Sequence, residues 1–290
     1  MIFHNQQLTK MQQADLDGLI KVCQTNEGGI PVIYHDLLLK KRECDTNVFY
    51  YHQGQLLGFL SAYYFYQTAC ELSILVNPIY RRKGIAKHLL AALLPLLKTM
   101  EMETLIFSSV PIINDHWLPT YGFDKQQSDY HMERCSHEPV LISNPKLILR
   151  KASEVEMALL CSLDNACFGT PKVNMIQRFT YLFNNSDYRI LLALKDNKVI
   201  GKAHVHWQAD KANFSDIAIH PDYQGQGFGH ELLSHCINQV LMSGRVRITL
   251  DVESCNQPAL ALYIGQGFKI MITHDYWSIS HDKLAKLLSN

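Results

Sequence analysis

In the stretch NFSDIAIHPDYQGQGFGHELLSHCINQV, Asn213 to Val240, the hydrophobic period changes once. Up to His220 the pattern is that of a strand. From Phe228 onward, Leu232, Leu233, Cys236, Ile237 and Val240 recur at helical spacing. Between the two lies Gln224-Gly225-Gln226-Gly227-Phe228-Gly229. A helix N-terminus offers N–H groups without intrahelical partners and a partial positive charge, which suits an anion. Glycines there let the main chain approach a phosphate closely. The plainer alternative for these residues is a glycine-rich turn capping a core helix.

The same pattern occurs earlier in the chain. Arg81-Arg82-Lys83-Gly84-Ile85-Ala86 resembles Gln224 to Gly229, with Gly84 and Gly227 143 residues apart. The same offset links Gly58 to Gly201, Pro78 to Pro221 and Tyr80 to Tyr223. It also carries the helical face Phe228, Leu232, Leu233, Cys236, Ile237, Val240 onto Ile85, Leu89, Leu90, Leu93, Leu94, Leu97. Two copies of one domain are expected, 1–138 and 146–290, joined through the turn formers of Ser136 to Asn144 around Pro139.

The second copy reads as a strand over Lys146 to Arg150, then a helix from Ser153 to Ala166 with a capping box from Ser153 to Glu156. A helix over Asn174 to Phe183 follows, then a hairpin of 189–195 and 198–207 around Asp196-Asn197. Next come a strand over Asn213 to His220, a helix from Gly225 to Met242 and a strand over Val246 to Glu253. A helix over Asn256 to Gln266, stopped by Gly267, precedes two closing strands, 268–273 and 275–279.

Composition narrows the classes. With 27 basic and 27 acidic side chains in 290 residues, the chain lacks the excess positive charge of a phosphate-neutralising nucleic-acid binder. A hydrophobic fraction of 47% supports ordinary packed cores. The 8 cysteines are scattered without C-x-x-C spacing, which speaks against zinc and for a reducing compartment. The N-terminus shows no signal-peptide pattern, and the greasiest run, Leu89 to Leu97, is too short to span a bilayer and contains Pro95. A cytoplasmic protein that engages neither nucleic acid nor membrane is expected.

Downstream of the glycine loop comes Asp251-Val-Glu253-Ser-Cys-Asn256-Gln-Pro-Ala-Leu-Ala-Leu-Tyr263, followed by Gly267-Phe268. Q-x-x-G-x-G followed by N-x-x-A-x-x-L-Y-x-x-x-G-F resembles the GNAT superfamily of acetyltransferases, most strongly from 146 to 279. The segment from Asp251 to Tyr263 is especially similar to the acetyltransferases of ribosomal-protein N-termini, and the tandem layout resembles that of mycothiol synthase. The resemblance implies an α+β fold with two tandem domains, each a mixed, mostly antiparallel twisted sheet flanked by helices. It also implies acetyl-CoA as cosubstrate, without a metal, and an amine as acceptor. Ile217, Ala218 and Ile219 would hold the pantetheine arm through main-chain groups, Gln224 to Gly229 the pyrophosphate, and Asn256 the arm unless it simply caps its helix.

Amide formation from a thioester needs a deprotonated amine, donors for the oxyanion and a proton for the thiolate. The resemblance places Tyr263 as the acid; pattern alone would make it a core aromatic. The base is left among Asp251, Asp216 and Glu253, with His220 and His206 behind them, each of which could equally be a solvated or capping group. In the first copy Leu118 stands where Tyr263 would, followed by Pro119, so that copy is expected to be non-catalytic. Val76, Arg81, Arg82, Gly84 and Ala86 would form a second cofactor site there. The acceptor stays open between a small-molecule amine and a peptide N-terminus, as do acyl length and oligomeric state. A cofactor-sensing or scaffolding module is the rival class.

Overall fold

The computed structural model describes every residue except 112–114, 169–174 and 290. The chain divides into two compact units, Met1–Asp129 with Ile272–Asn290, and Tyr130–Met271. The repeat read from sequence placed 272–290 with the second copy and the joint at 136–144; in the structure that joint lies inside the second unit and 272–290 count with the first.

In the first unit, β1 (Ile2–Asn5), β2 (Asn47–His52), β3 (Gln55–Tyr63), β4 (Ala69–Val76) and β5 (Thr104–Ser109) lie side by side in that order. Neighbours are antiparallel except β4 and β5, which are parallel. Helix α1 (Lys10–Glu27), with the short α2 (His35–Leu38), packs Leu16, Leu19 and Cys23 against Phe49, Phe59 and Leu75 on one face. Helix α3 (Ile85–Thr99) packs Leu89, Leu93 and Leu97 against Val48, Leu60, Leu72 and Leu105 on the other. The alternation along the strands thus feeds two cores.

The second unit repeats this. β6 (Asp124–Arg134) begins in the first unit and ends in the second. The order there is β6, β11 (Arg247–Glu253), β10 (Lys211–Ile219), β9 (Lys198–Trp207), β8 (Tyr188–Lys195) and β7 (Ile148–Lys151). β10 and β11 pair in parallel, whereas β10 with β9, β9 with β8 and β8 with β7 are antiparallel. The expected hairpin turn is present: Asp196 and Asn197 take φ of 49° and 62°, the left-handed pair that a two-residue hairpin loop requires. On one face α4 (Met157–Phe168) and α5 (Met175–Asn184) bury Leu160, Phe179 and Leu182 with Ile190 and Leu192. On the other, α6 (Phe228–Met242) buries the helical face read from sequence against Leu191, Val205, Phe214 and Leu250. The Ser153 N–H donates to Glu156 at 3.0 Å, as the capping box requires. Asn174 lies outside the described residues.

Helix α7 (Gln257–Gly265) follows β11. The two closing strands expected at 268–273 and 275–279 are one continuous strand, β12 (Phe268–Ser280). His274 does not break it: in the first unit its Nε2 lies 3.0 Å from the Ile30 carbonyl oxygen. After β12 comes α8 (His281–Ser289), absent from the sequence reading, which packs Leu284 into the α3 core.

Candidate functional site

In the second unit the parallel ladder between β10 and β11 ends at Phe214 opposite Leu250. On its other edge β10 continues to pair with β9 as far as Ile219, but the register slips between Ser215 and Ala218. Asp216 and Ile217 stand there opposite Ala203 alone, and Asp216 takes a left-handed φ of 49°. A bulge bends its strand and re-aims a side chain. Here it turns residues 216–219 away from β11 and opens the sheet, which leaves main-chain groups of Ile217, Ala218 and Ile219 on the open edge. Gly201 makes the bend feasible, since a Cβ there would sit 2.6 Å from the Ala218 carbonyl oxygen.

The strand then enters the glycine loop. A single turn of tight helix, Pro221–Tyr223, intervenes, so the long helix starts at Phe228 rather than Gly225. Gly225 and Gly227 carry φ of 72° and 84°, with open space where a Cβ would stand. The Gln224 amide donates to the Ile219 carbonyl at 2.8 Å, fastening the loop to the end of β10. Gln226 donates to the Asp222 carbonyl at 3.3 Å. Gly229 lies one residue into α6. The N-terminal N–H groups of α6 therefore face a loop whose conformation only glycine holds without strain. These residues suit the phosphates of a nucleotide cosubstrate.

Tyr263 lies on α7 in the core shared with Phe228 and Phe268, its ring 6.1 Å from that of Phe268. Burial pushes its phenol up to about 12, so it is a protonated donor at neutral pH. Asn256 caps α7, accepting from the Ala259 N–H at 3.2 Å. Asp251, on β11, is exposed and meets His131 of β6, whose Nδ1 lies 2.8 Å from its carboxylate. Glu253 is exposed and accepts from the Cys255 thiol at 3.5 Å. His206 stacks on Tyr188 with centroids 4.0 Å apart, and His220 accepts from the Asp222 N–H at 3.3 Å. Both histidines are accounted for by local structure.

Asp216 is different. Its side chain is 9% exposed and belongs to a closed ring of charged groups. Arg178 of α5 lies 2.6 Å from its Oδ2, and His204 Nδ1 of β9 lies 3.2 Å from the same oxygen. Lys202 Nζ lies 3.0 Å from His204 Nε2 and 2.6 Å from Asp164 Oδ1 of α4, the latter an ion pair rather than an aligned hydrogen bond. Arg178 closes the ring at 3.6 Å from Asp164 Oδ2. Burial by itself would raise the Asp216 carboxyl, but the His204 hydrogen bond and the charge of Arg178 outweigh it and hold it well below the usual carboxylate range. Burial lowers both Lys202 and His204. Sequence reasoning singled out Asp216 but missed Asp164, Arg178, Lys202 and His204. The available signal was Lys202 and His204 interrupting the apolar run of a central strand, on one face by period-two alternation.

The first unit reproduces the loop but not the site. Arg81 Nε donates to the Val76 carbonyl at 3.1 Å, as Gln224 does to Ile219, and Gly84 has φ of 81°. Arg82 takes φ of 56° where the second copy has Gly225, and Ala86 lies in the first turn of α3. Strand β4 pairs with β3 in unbroken register, without a bulge. Beyond the end of the β4–β5 ladder, at Leu72 opposite Phe107, Val32 crosses: its N–H donates to Ser108 Oγ at 3.0 Å and its carbonyl accepts from Ser73 Oγ. Leu118 is buried in a tight turn with Pro119.

The second unit thus carries an opened strand pair, then a glycine loop at a helix N-terminus, then a buried tyrosine on the next helix. The acetyltransferase (GNAT) family profile matches residues 16–122 and again 158–268, and the chain belongs to that family. The ribosomal protein bS18-alanine N-acetyltransferase of Escherichia coli is 34% identical over 90 residues, 31% of this chain and 61% of that protein. The Haemophilus influenzae enzyme of the same name is 35% identical over 111 residues, 38% of this chain and 69% of that one. Among solved structures, a GCN5-related N-acetyltransferase from Sphaerobacter thermophilus superposes with TM-score 0.80 at 14% identity, covering 97% of this chain and 96% of that one. A tandem GNAT protein from the clavulanic acid biosynthesis pathway superposes with TM-score 0.70 at 14% identity, covering 97% and 99%. Those two likenesses are of fold. Among the described residues no helix is long and apolar enough to cross a membrane, and no group of three or more His, Cys, Asp or Glu is placed to hold a metal.

Proposed function

We propose that the second unit transfers an acetyl group from acetyl-CoA to a primary α-amine, by direct attack of the amine on the thioester. The observation that carries the reading is the pairing of the bulged, opened β10 with the Gln224–Gly229 loop and the protonated Tyr263. Acetyl-CoA supplies the activated acyl group. Main-chain groups of 217–219 line its arm, and the glycine loop with the α6 N-terminus takes its pyrophosphate. Tyr263 holds a proton for the departing thiolate.

The base argues for the kind of amine. A carboxylate pinned by Arg178 and His204, as Asp216 is, accepts a proton poorly. That leaves Asp251, exposed and 2.8 Å from His131 Nδ1, as the base, acting directly or through a water. An exposed carboxylate removes a proton more readily from an α-amine, with a pKa of about 7.7–8.0, than from an alkylamine at about 10.4. The named activity of the bacterial relatives, on an alanine of a ribosomal protein, points the same way. A peptide N-terminus is therefore the first acceptor to try.

The test is an acetyl-CoA consumption assay over alanyl peptides, free amino acids, polyamines and aminoglycosides, with Tyr263→Phe alongside. Turnover of an α-amine that Tyr263→Phe loses supports the reading. Tight acetyl-CoA binding without turnover of any amine would turn it towards a cofactor sensor.

A further inference from the structure

Strand β7 ends its sheet, and among the described residues β8 is its one neighbour. Just past that ladder the Ala152 N–H donates to the Ile190 carbonyl at 2.8 Å. By antiparallel alternation Arg150 and Ile148 turn their main-chain groups to β8, while Leu149 and Lys151 turn theirs outward. The outward N–H of Leu147 is covered by the Glu231 carboxylate at 2.7 Å. Those of Leu149 and Lys151 have no such cover among the described residues. Beside this edge, on the face that α6 covers, lies a groove of about 610 Å³. Leu149, Leu191 and Met242 give it an apolar lining, and Lys151 and Arg189 stand among them.

Lys151 lies opposite Leu191, and Arg189 is two residues along β8 on the same face, so the two cations are diagonal neighbours. Arg150 points to the other face and is paired with Glu156, while Arg189 stacks over Trp207 with 4.9 Å to the ring centroid. Neither Lys151 nor Arg189 forms an ion pair among the described residues. Shifted by the repeat, the first unit has His4 and Thr46 in their places, so the fold itself does not call for two cations there. We infer that the β7 edge takes an extended partner peptide as an added strand, with an acidic side chain towards Lys151 and Arg189 and an apolar one towards Leu149 and Met242. The outward main-chain groups give such an addition its affinity and the groove gives it selectivity. A second copy of this chain is the poorer occupant. Strand β7 reads Ile-Leu-Arg-Lys and β1, the other terminal strand, reads Ile-Phe-His-Asn, so neither edge brings an acid. None of these residues belongs to the acetyl-CoA site, so the docking edge and the transferase reading can fail separately.

The test uses the full chain and capped heptapeptides of serine and threonine that carry glutamate and leucine at alternate positions, in both orders. Fluorescence anisotropy of the labelled peptides reads affinity, and circular dichroism verifies folding of the double variant Lys151→Glu, Arg189→Glu. One order should bind the wild type with a dissociation constant below about 1 mM. An exposed ion pair is worth up to about fivefold in affinity, so reversing both cations should weaken binding at least about tenfold. Methylating alternate peptide nitrogens strips the donors from one edge of the added strand at a time. One set should abolish binding and the other should change it by less than about twofold. Equal effects of the two sets on the wild type overturn the strand addition, whatever the variant does. So does a folded variant that binds as tightly as wild type, or a wild type that binds neither order up to about 1 mM. Sedimentation velocity addresses the rival occupant. A wild-type dimer that the double variant dissociates gives the edge to a second copy and overturns the inference; a monomer leaves the edge free for the peptide, as expected.

Discussion

Gly201→Ala probes the bend that opens the sheet. A Cβ at this position would lie 2.6 Å from the Ala218 carbonyl oxygen and 2.6 Å from Ile219 Cδ1. The isoleucine can rotate, but the carbonyl belongs to the strand and cannot move without shifting the bulge. Overpacking of this kind costs about 1–3 kcal/mol, less about 0.4–1 kcal/mol returned by stiffening the unfolded chain. A net loss of about 1–2 kcal/mol should lower Tm by about 3–8 °C. Gly18, exposed within α1, has nothing within 4 Å of a built Cβ, so Gly18→Ala should instead stabilise by up to about 1 kcal/mol. Scanning calorimetry measures both, and acetyl-CoA titration of the folded Gly201→Ala variant should show weaker binding, because residues 218 and 219 line the opening. A Gly201→Ala protein as stable as wild type and with the same acetyl-CoA affinity would refute the close approach and the role given to the bulge.

Tyr263→Phe should lower kcat by about 10²–10⁴ while acetyl-CoA affinity holds, since the ring and its packing remain; stopped-flow turnover at saturating cosubstrate measures it, and full activity would remove Tyr263 from the chemistry. Gly227→Glu puts a carboxylate and a strained left-handed residue where φ is 84°, so calorimetry on the folded variant should find acetyl-CoA binding abolished; retained affinity counts against the phosphate loop. The intact chain should bind one acetyl-CoA, because Val32 bridges β4 and β5 in the first unit; a calorimetric stoichiometry of two would show that the Arg81–Ala86 loop also works. The Glu156 carboxyl is lowered to about 2, first by its hydrogen bond from Arg150. A depressed carboxyl contributes stability above its unfolded pKa of about 4.3 that is lost as pH falls towards the folded value. Glu156→Gln should therefore cost about 0.5–1 kcal/mol at pH 7, little because the arginine of the pair is exposed, and the two unfolding curves should converge below about pH 2.

Local chemistry is written in the chain itself. The glycine loop, the helical face from Phe228 to Val240, the Asp196-Asn197 turn and the capping box at Ser153 each follow from residues a few positions apart, because period, left-handed φ and capping are short-range properties. The repeat was legible for the same reason, being one set of short-range signals written twice. What tertiary structure decided lies in contacts between residues far apart in sequence. The ring joins Asp164, Arg178, Lys202, His204 and Asp216 from two helices and two strands, and no spacing marks them as partners. The bulge at Asp216 shows only in the register of β10 against β9. The helix α8 had its apolar spacing at Leu284, Leu287 and Leu288, but only its packing on the α3 core gives that short segment a reason to be helical. The pairing of 272–290 with the first unit, against the order of the repeat, is likewise set by strand pairing across more than 160 residues of intervening chain, from Ser109 of β5 to Asp275 of β12. Sequence period cannot choose among distant edges of equal pattern; the hydrogen-bonded register can.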